Sequence, residues 1–199
     1  MRGIGVSLAL LAIVVAGGQQ AYGATHVMKD HKGDVYAYPD PESPRLVHTN
    51  EATDDITSVR TTHGAKAVNV AIHLRELPRT DNVALVEIRT SAPGHPAYLA
   101  LAARTDGYKT RVLTDQTGSS RLRCKNMRVR FDGTDDVVRV HLPRRCIGSP
   151  KWIRTGAMVM QDGPKASDST IDVAGKTVLT NKWLTYSPNL PLSSRVHVG

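Results

Sequence analysis

The sequence predicts an all-β protein folded as one antiparallel β-sandwich, jelly-roll-like, with one disulfide. Three observations point there. Short runs rich in Val, Ile and Thr recur every 10 to 15 residues or so between Gly, Pro, Asn and Asp punctuation, the pattern of sandwich strands. No segment after the N-terminal leader carries an apolar repeat of helical period and useful length. The chain has two cysteines, Cys124 and Cys146, behind an N-terminus built for export.

That N-terminus has one basic residue, Arg2, an apolar run from Ile4 to Ala16, and a small-residue site ending at Ala21-Tyr22-Gly23. The run is short of the roughly 20 residues that cross a bilayer, so residues 1–23 read as a signal peptide cleaved after Gly23. An uncleaved anchor is the alternative. No later segment is apolar enough to span, so the expectation is a secreted, extracellular chain with no membrane span after cleavage. In an oxidising compartment the two cysteines predict one Cys124–Cys146 bond, with two free thiols as the alternative.

Residues 24–50 read as a loop-rich segment with an edge strand, because Pro39, Pro41 and Pro44 interrupt the stretch from Tyr38 to Asn50. Residues 51–162 form the predicted sandwich. Ile56 to Thr62 opens it. In KAVNVAIHL, Val68, Val70, Ile72 and Leu74 share one face while Asn69, Ala71 and His73 share the other. NVALVEIRT, AYLALAAR, YKTRVLT, NMRVRF, VVRVHL and WIRTGAMVM follow, separated by PRTDN, SAPGHP, DG, DQTGSS and GSP turns. Residues 163–199 read as a loop-rich tail with a final strand docking through the apolar island Trp183, Leu184 and Tyr186.

Between the cysteines lies CKNMRVRFDGTDDVVRVHLPRRC. Gly133 as the first residue of a two-residue loop predicts a type II′ turn at Gly133-Thr134. In that register Val129 faces Val138 and Met127 faces Val140, an apolar face completed by Phe131 and Leu142. The other face sets Arg128 across from Arg139 and Asn126 across from His141, with Arg130 diagonal to Arg139. The disulfide would clip the open end of this hairpin. Like charges directly opposite one another destabilise a ladder, so Arg128, Arg130, Arg139 and His141 are either well solvated or an anion site.

The formal net charge is +8, of which the leader supplies one through Arg2. From Arg121 to Arg154 there are ten Lys and Arg against three Asp. Such a balance fits an acidic partner: an anionic polysaccharide, a phosphate-rich cell-wall polymer, an anionic membrane face or an acidic protein. Nucleic acid is not expected, given export and few aromatics for stacking.

Chemistry is sparse. There is no G-x-S-x-G, no H-E-x-x-H, no phosphate loop and no dinucleotide fingerprint, so no catalytic residue and no cofactor are assigned. His26, Asp30, His31 and Asp34 crowd into HVMKDHKGD with donors for zinc or calcium, but their spacing matches no standard site and no metal is assigned there. Tyr36 and Tyr38 alternate in VYAYP and are the aromatic candidates for stacking on a sugar from one exposed face.

The segment DDITSVRTTHGAKAVNVAIHLREL, followed by VRVHLPRRCIGSPKWIRTG, resembles a group of uncharacterised exported bacterial β-sandwich proteins. These look distantly like family-nine-type carbohydrate-binding modules and DOMON-type domains. The resemblance covers about residues 51 to 160; it implies the sandwich fold and brings no ligand residues with it. The expected function is non-catalytic binding of carbohydrate or another anionic polymer outside the cell. A protein–protein interaction or structural module of the cell surface is the alternative, and a secreted hydrolase comes third.

Overall fold

A computed structural model of the chain describes residues 23–37, 47–79, 81–93, 97–105, 107–161, 169–175 and 190–199. One sheet has five antiparallel strands in the order β1 (Ala24–Lys29), β4 (Ile56–His63), β5 (Ala67–Leu74), β11 (Val137–Pro143), β10 (Arg128–Asp132). The other runs β3 (Val47–Thr49), β2 (Val35–Ala37), β13 (Thr170–Val173), β12 (Trp152–Gln161), β6 (Asn82–Thr90), β7 (Ala97–Thr105), β8 (Tyr108–Asp115), β9 (Arg121–Leu122). In that sheet β14 (Val196–His197) also pairs with β12. Neither sheet closes into a barrel.

Two-residue alternation places the core between the sheets. From the first sheet come Val68, Val70, Ile72 and Leu74 of β5 and Val138, Val140 and Leu142 of β11. They meet Ala84, Val86 and Ile88 of β6, Ala100 and Ala102 of β7, and Ile153, Ala157 and Val159 of β12. A register irregularity between Ile56 and Ser58 lets both Ile56 and Val59 of β4 point inward. Burying each Val, Leu or Ile contributes about 1.5–3 kcal/mol, which makes this face the main source of stability. Thr61 and Thr155 join the sheets through the interior, their hydroxyls 2.6 Å apart.

The two outer faces differ. On the nine-stranded sheet, Leu85, Met158, Ile171, Val173 and Tyr36 build a second, smaller core with Leu190. The segment from Leu190 lies so close over β12 that a Cβ on Gly156 would stand 2.6 Å from the Leu190 Cβ and the Pro191 carbonyl oxygen; only glycine fits there. Buried Glu87 accepts from the Leu190 amide at 3.0 Å and from Arg89 Nε at 2.7 Å. The outer face of the five-stranded sheet remains polar and open.

The eight strands predicted between residues 56 and 160 are all present. Three readings change. The predicted two-residue turn is a four-residue loop, Gly133 to Asp136, so Val129 faces Val140 and Phe131 faces Val138. The left-handed residue is Asp136 (φ 51°), not Gly133, and its carbonyl and side chain accept from the Leu74 and Leu77 amides. The tail supplies a fully buried inner strand, β13, and the short β14, whereas Trp183, Leu184 and Tyr186 lie outside the described residues. The segment before residue 50 supplies β1, β2 and β3. The leader, residues 1–22, also lies outside the described residues.

Cys124 and Cys146 form the predicted disulfide, with Cα atoms 5.4 Å apart. It ties the chain just before β10 to a short 3₁₀ turn, η1 (Arg144–Ile147), just after β11, at the open end of the hairpin. The bond suits an oxidising compartment. No helix among the described residues is long and apolar enough to cross a membrane.

Candidate functional site

Register alone arranges the outer face of the five-stranded sheet. One row across the strands reads Val27, Arg60, Ala71, Arg139, Arg130 from β1 to β10; the next reads Thr25, Thr62, Asn69, His141, Arg128. Arg130 therefore stands directly opposite Arg139, and Arg128 opposite His141. The expected Arg128–Arg139 pair is corrected by the longer turn. A two-residue slip changes the partner and keeps the face, because side chains alternate with period two.

Ala71, with its single methyl, sits in the row between Arg60 and Arg139 and leaves a hollow. The result is an open depression of about 560 Å³ lined by Arg60, Thr62, Asn69, Ala71, Arg128, Arg130, Arg139 and His141, with no carboxylate in its lining. His141 Nδ1 donates to Asn69 Oδ1 at 2.8 Å, and the Thr25 and Thr62 hydroxyls are 3.1 Å apart. All four predicted residues, Arg128, Arg130, Arg139 and His141, thus meet at one place.

Charge on this face is only partly balanced. Asp132 Oδ2 lies 3.1 Å from Arg130 Nη2 and 4.0 Å from Arg139 Nε, while Asp135 pairs with Arg139 at 3.0 Å. Arg60 and Arg128 have no acidic partner among the described residues. The local field registers on His73 at the margin: burial lowers its imidazole pKa, and the Arg139 and Arg60 guanidiniums lower it further. Two other arginines of the basic segment have structural tasks. Arg144 donates to the Ala65, Ser149 and Pro150 carbonyls, and Arg154 to the Ser193 and Leu192 carbonyls.

Arg60, Thr62, Asn69 and Ala71 are absent from the sequence-based candidates. Their phase on KAVNVAIHL and its neighbour marks them as outward-facing. The pairing of β5 with β11, which brings them beside the hairpin, is a long-range event.

The aromatic reading fails for Tyr36. Its side chain is 7% exposed in the smaller core, edge-on to His48 with ring centroids 5.6 Å apart, so it presents no surface for stacking. Tyr38 lies outside the described residues.

The His/Asp cluster near the N-terminus separates in space. His26 Nδ1 lies 3.0 Å from the Ser194 hydroxyl, and His31 is exposed on the loop after β1. Asp30 and Asp34 instead converge with Asp172 of β13, one carboxylate oxygen from each lying within 4.8 Å of the others. Burial pushes Asp172 up to about 9, and pushes Asp30 up to about 6 against the Gly175 amide hydrogen bond. Burial also raises Asp34. Nearby Asp54 is pushed up by burial to about 6, with a hydrogen bond from the Thr170 hydroxyl acting the other way. Asp172 is absent from the sequence-based candidates because its segment reads as loop; its one local signal is an acid flanked by Ile171 and Val173.

Comparisons of this chain with protein-family models, with curated proteins and with solved structures find no match.

Proposed function

We propose that this is an exported, non-catalytic binding module whose five-stranded sheet takes an extended polyanion, an acidic polysaccharide or a phosphate-bearing wall polymer, across its outer face. The observation that supports this reading is the convergence of Arg60, Arg128, Arg130, Arg139 and His141 on one open depression with no carboxylate in its lining. Guanidinium groups bind carboxylate, sulfate and phosphate through paired hydrogen bonds. Arg60, Arg139 and Arg130 are spread over four strands about 4.8 Å apart, too wide for one small anion to bridge and suited to charges repeated along a chain. The adjoining row of Thr25, Thr62 and Asn69 offers hydroxyl and amide partners, which favours a sugar polymer.

The test is retention of the full chain on immobilised heparin, on a teichoic-acid-like polyphosphate and on a neutral polysaccharide, at low and high salt. Binding should be confined to the charged polymers and weaken with salt, because the contacts are exposed. The double substitution Arg60→Gln, Arg128→Gln should weaken it at least tenfold with the melting temperature unchanged or raised. Undiminished retention of that variant would overturn the reading.

A further inference from the structure

The chain crosses between the two sheets twice near its start, and both crossings carry aspartates. Asp30-His31-Lys32-Gly33-Asp34 leads from β1 of the five-stranded sheet to β2 of the other; the return from β3 to β4 passes Asp54 and Asp55. Asp172 belongs to β13, the neighbour of β2. It lies across from Val159, on the face turned toward the other sheet. Gly33, at φ 79°, makes the turn that brings Asp34 back to Asp30, and its amide donates to Asp55 Oδ2 at 2.7 Å.

Of these five acids all but Asp172 keep at least one buried oxygen without a hydrogen-bond partner among the described residues. Asp172 is fully buried and accepts from the Ile56 and Val173 amides, both at 2.7 Å. Asp30 Oδ1 accepts from the Gly175 and His31 amides at 2.8 and 3.0 Å. Yet Asp30 Oδ2 and both oxygens of Asp34, a residue only 5% exposed, are buried without a hydrogen-bond partner among the described residues. The nearby Arg75 guanidinium lies 2.8 Å from Asp55, not from these three oxygens. A carboxylate held out of water with empty acceptor sites costs several kcal/mol unless a proton or a cation neutralises it, and one cation can do so for all three at once.

We infer that Asp30, Asp34 and Asp172 form a calcium site that staples the β1–β2 crossing to β13. The donor set is entirely oxygen, which selects a hard cation over zinc or copper. Oxygens all within 4.8 Å of one another can share one ion at Ca–O distances of about 2.4 Å, and a set of carboxylates fixed by the fold suits calcium better than magnesium, which keeps most of its water rather than entering an all-protein cage. Water and backbone carbonyls complete the six to eight ligands usual for calcium. The amides on Asp172 and Asp30 hold those two carboxylates in place and leave their remaining lone pairs to the ion. This site is separate from the basic face and does not depend on polymer binding.

The experiment is thermal unfolding and titration calorimetry of the full, chelator-stripped chain with calcium, and in parallel with magnesium, up to about 5 mM, the weakest range of extracellular calcium modules. Calcium should bind one ion per chain with a saturable heat and raise the melting temperature by about 5 to 10 °C at saturation. It should also slow proteolysis within residues 24–37. Asp34→Asn should abolish the calcium response while melting in chelator at or above the wild-type temperature, because one crowded charge is gone. Asp30→Asn, at a half-buried position, serves as the second variant. A wild-type chain indifferent to calcium, responses retained in both variants, or equal responses to magnesium and calcium would overturn the assignment.

Discussion

Arg130 on β10 and Arg139 on β11 are direct cross-strand neighbours, and Asp132 reaches both guanidiniums from the next position on the same face. Opposed like charges cost a ladder some tenths of a kcal/mol, so Asp132, largely buried, is the counter-charge that lets the pair persist. Asp132→Asn should therefore move elution from heparin to higher salt while lowering stability by about 0.5 kcal/mol. Earlier elution would show that Asp132 is not what restrains these arginines.

Ala71 makes the complementary case, because Arg60 and Arg139 flank it on the neighbouring strands. A glutamate there would fill the hollow and pair with both arginines. Ala71→Glu should raise stability by about 0.5 to 1 kcal/mol and at the same time abolish polymer retention. Affinity that survives this substitution would place the binding surface elsewhere.

Thr61 and Thr155 offer a test of how the sheets are joined. Both hydroxyls are buried, and each is the other's partner at 2.6 Å. Either single change to Val strands the remaining hydroxyl and should cost about 1 to 3 kcal/mol, whereas the double change should come close to wild type. Denaturant melts of the four proteins give the coupling energy directly; simple additivity of the two singles would contradict the pairing.

His63 predicts a pH dependence. It is fully buried; Nδ1 lies 2.9 Å from the Val196 carbonyl, so Nδ1 carries the proton, and Nε2 is buried without a partner among the described residues. Burial lowers its pKa below 6.5, outweighing the Val196 hydrogen bond, and Arg144 and His197 lower it further. The unfolded chain therefore takes up this proton more readily than the folded one. The contribution is full above about pH 6.5 and is lost as pH falls toward the depressed folded value. His63→Gln keeps a donor toward Val196 and does not titrate. Between pH 7.5 and 5.5 its melting temperature should fall less than that of the wild type; equal losses would remove His63 from the account.

Much of this is legible residue by residue. Val68, Val70, Ile72 and Leu74 alternate against Asn69, Ala71 and His73 whatever strand lies beside them, so core and surface faces follow from local pattern. The hairpin shows where local reasoning stops. Its faces are correct and its partners are two residues out, because the turn is held by Asp136 accepting from the amides of Leu74, at the end of β5, and Leu77, in the connection that follows it. Tyr36 fails for a similar reason: alternation identifies a face, but that face packs in one cluster with Leu85, Met158, Ile171 and Leu190, all distant in sequence.

By itself, then, the sequence determines the all-β class, which side chains of the central strands share a face, the pairing of two lone cysteines and the concentration of arginines in one hairpin. Tertiary structure alone decides that β5 lies beside β11, bringing Arg60, Asn69 and Ala71 to those arginines, and that Asp172 meets Asp30 and Asp34. The physical reason is range. Side-chain alternation is set by the backbone of each strand, whereas strand neighbours and sheet crossings are set by burying the whole apolar surface at once, which no local window contains.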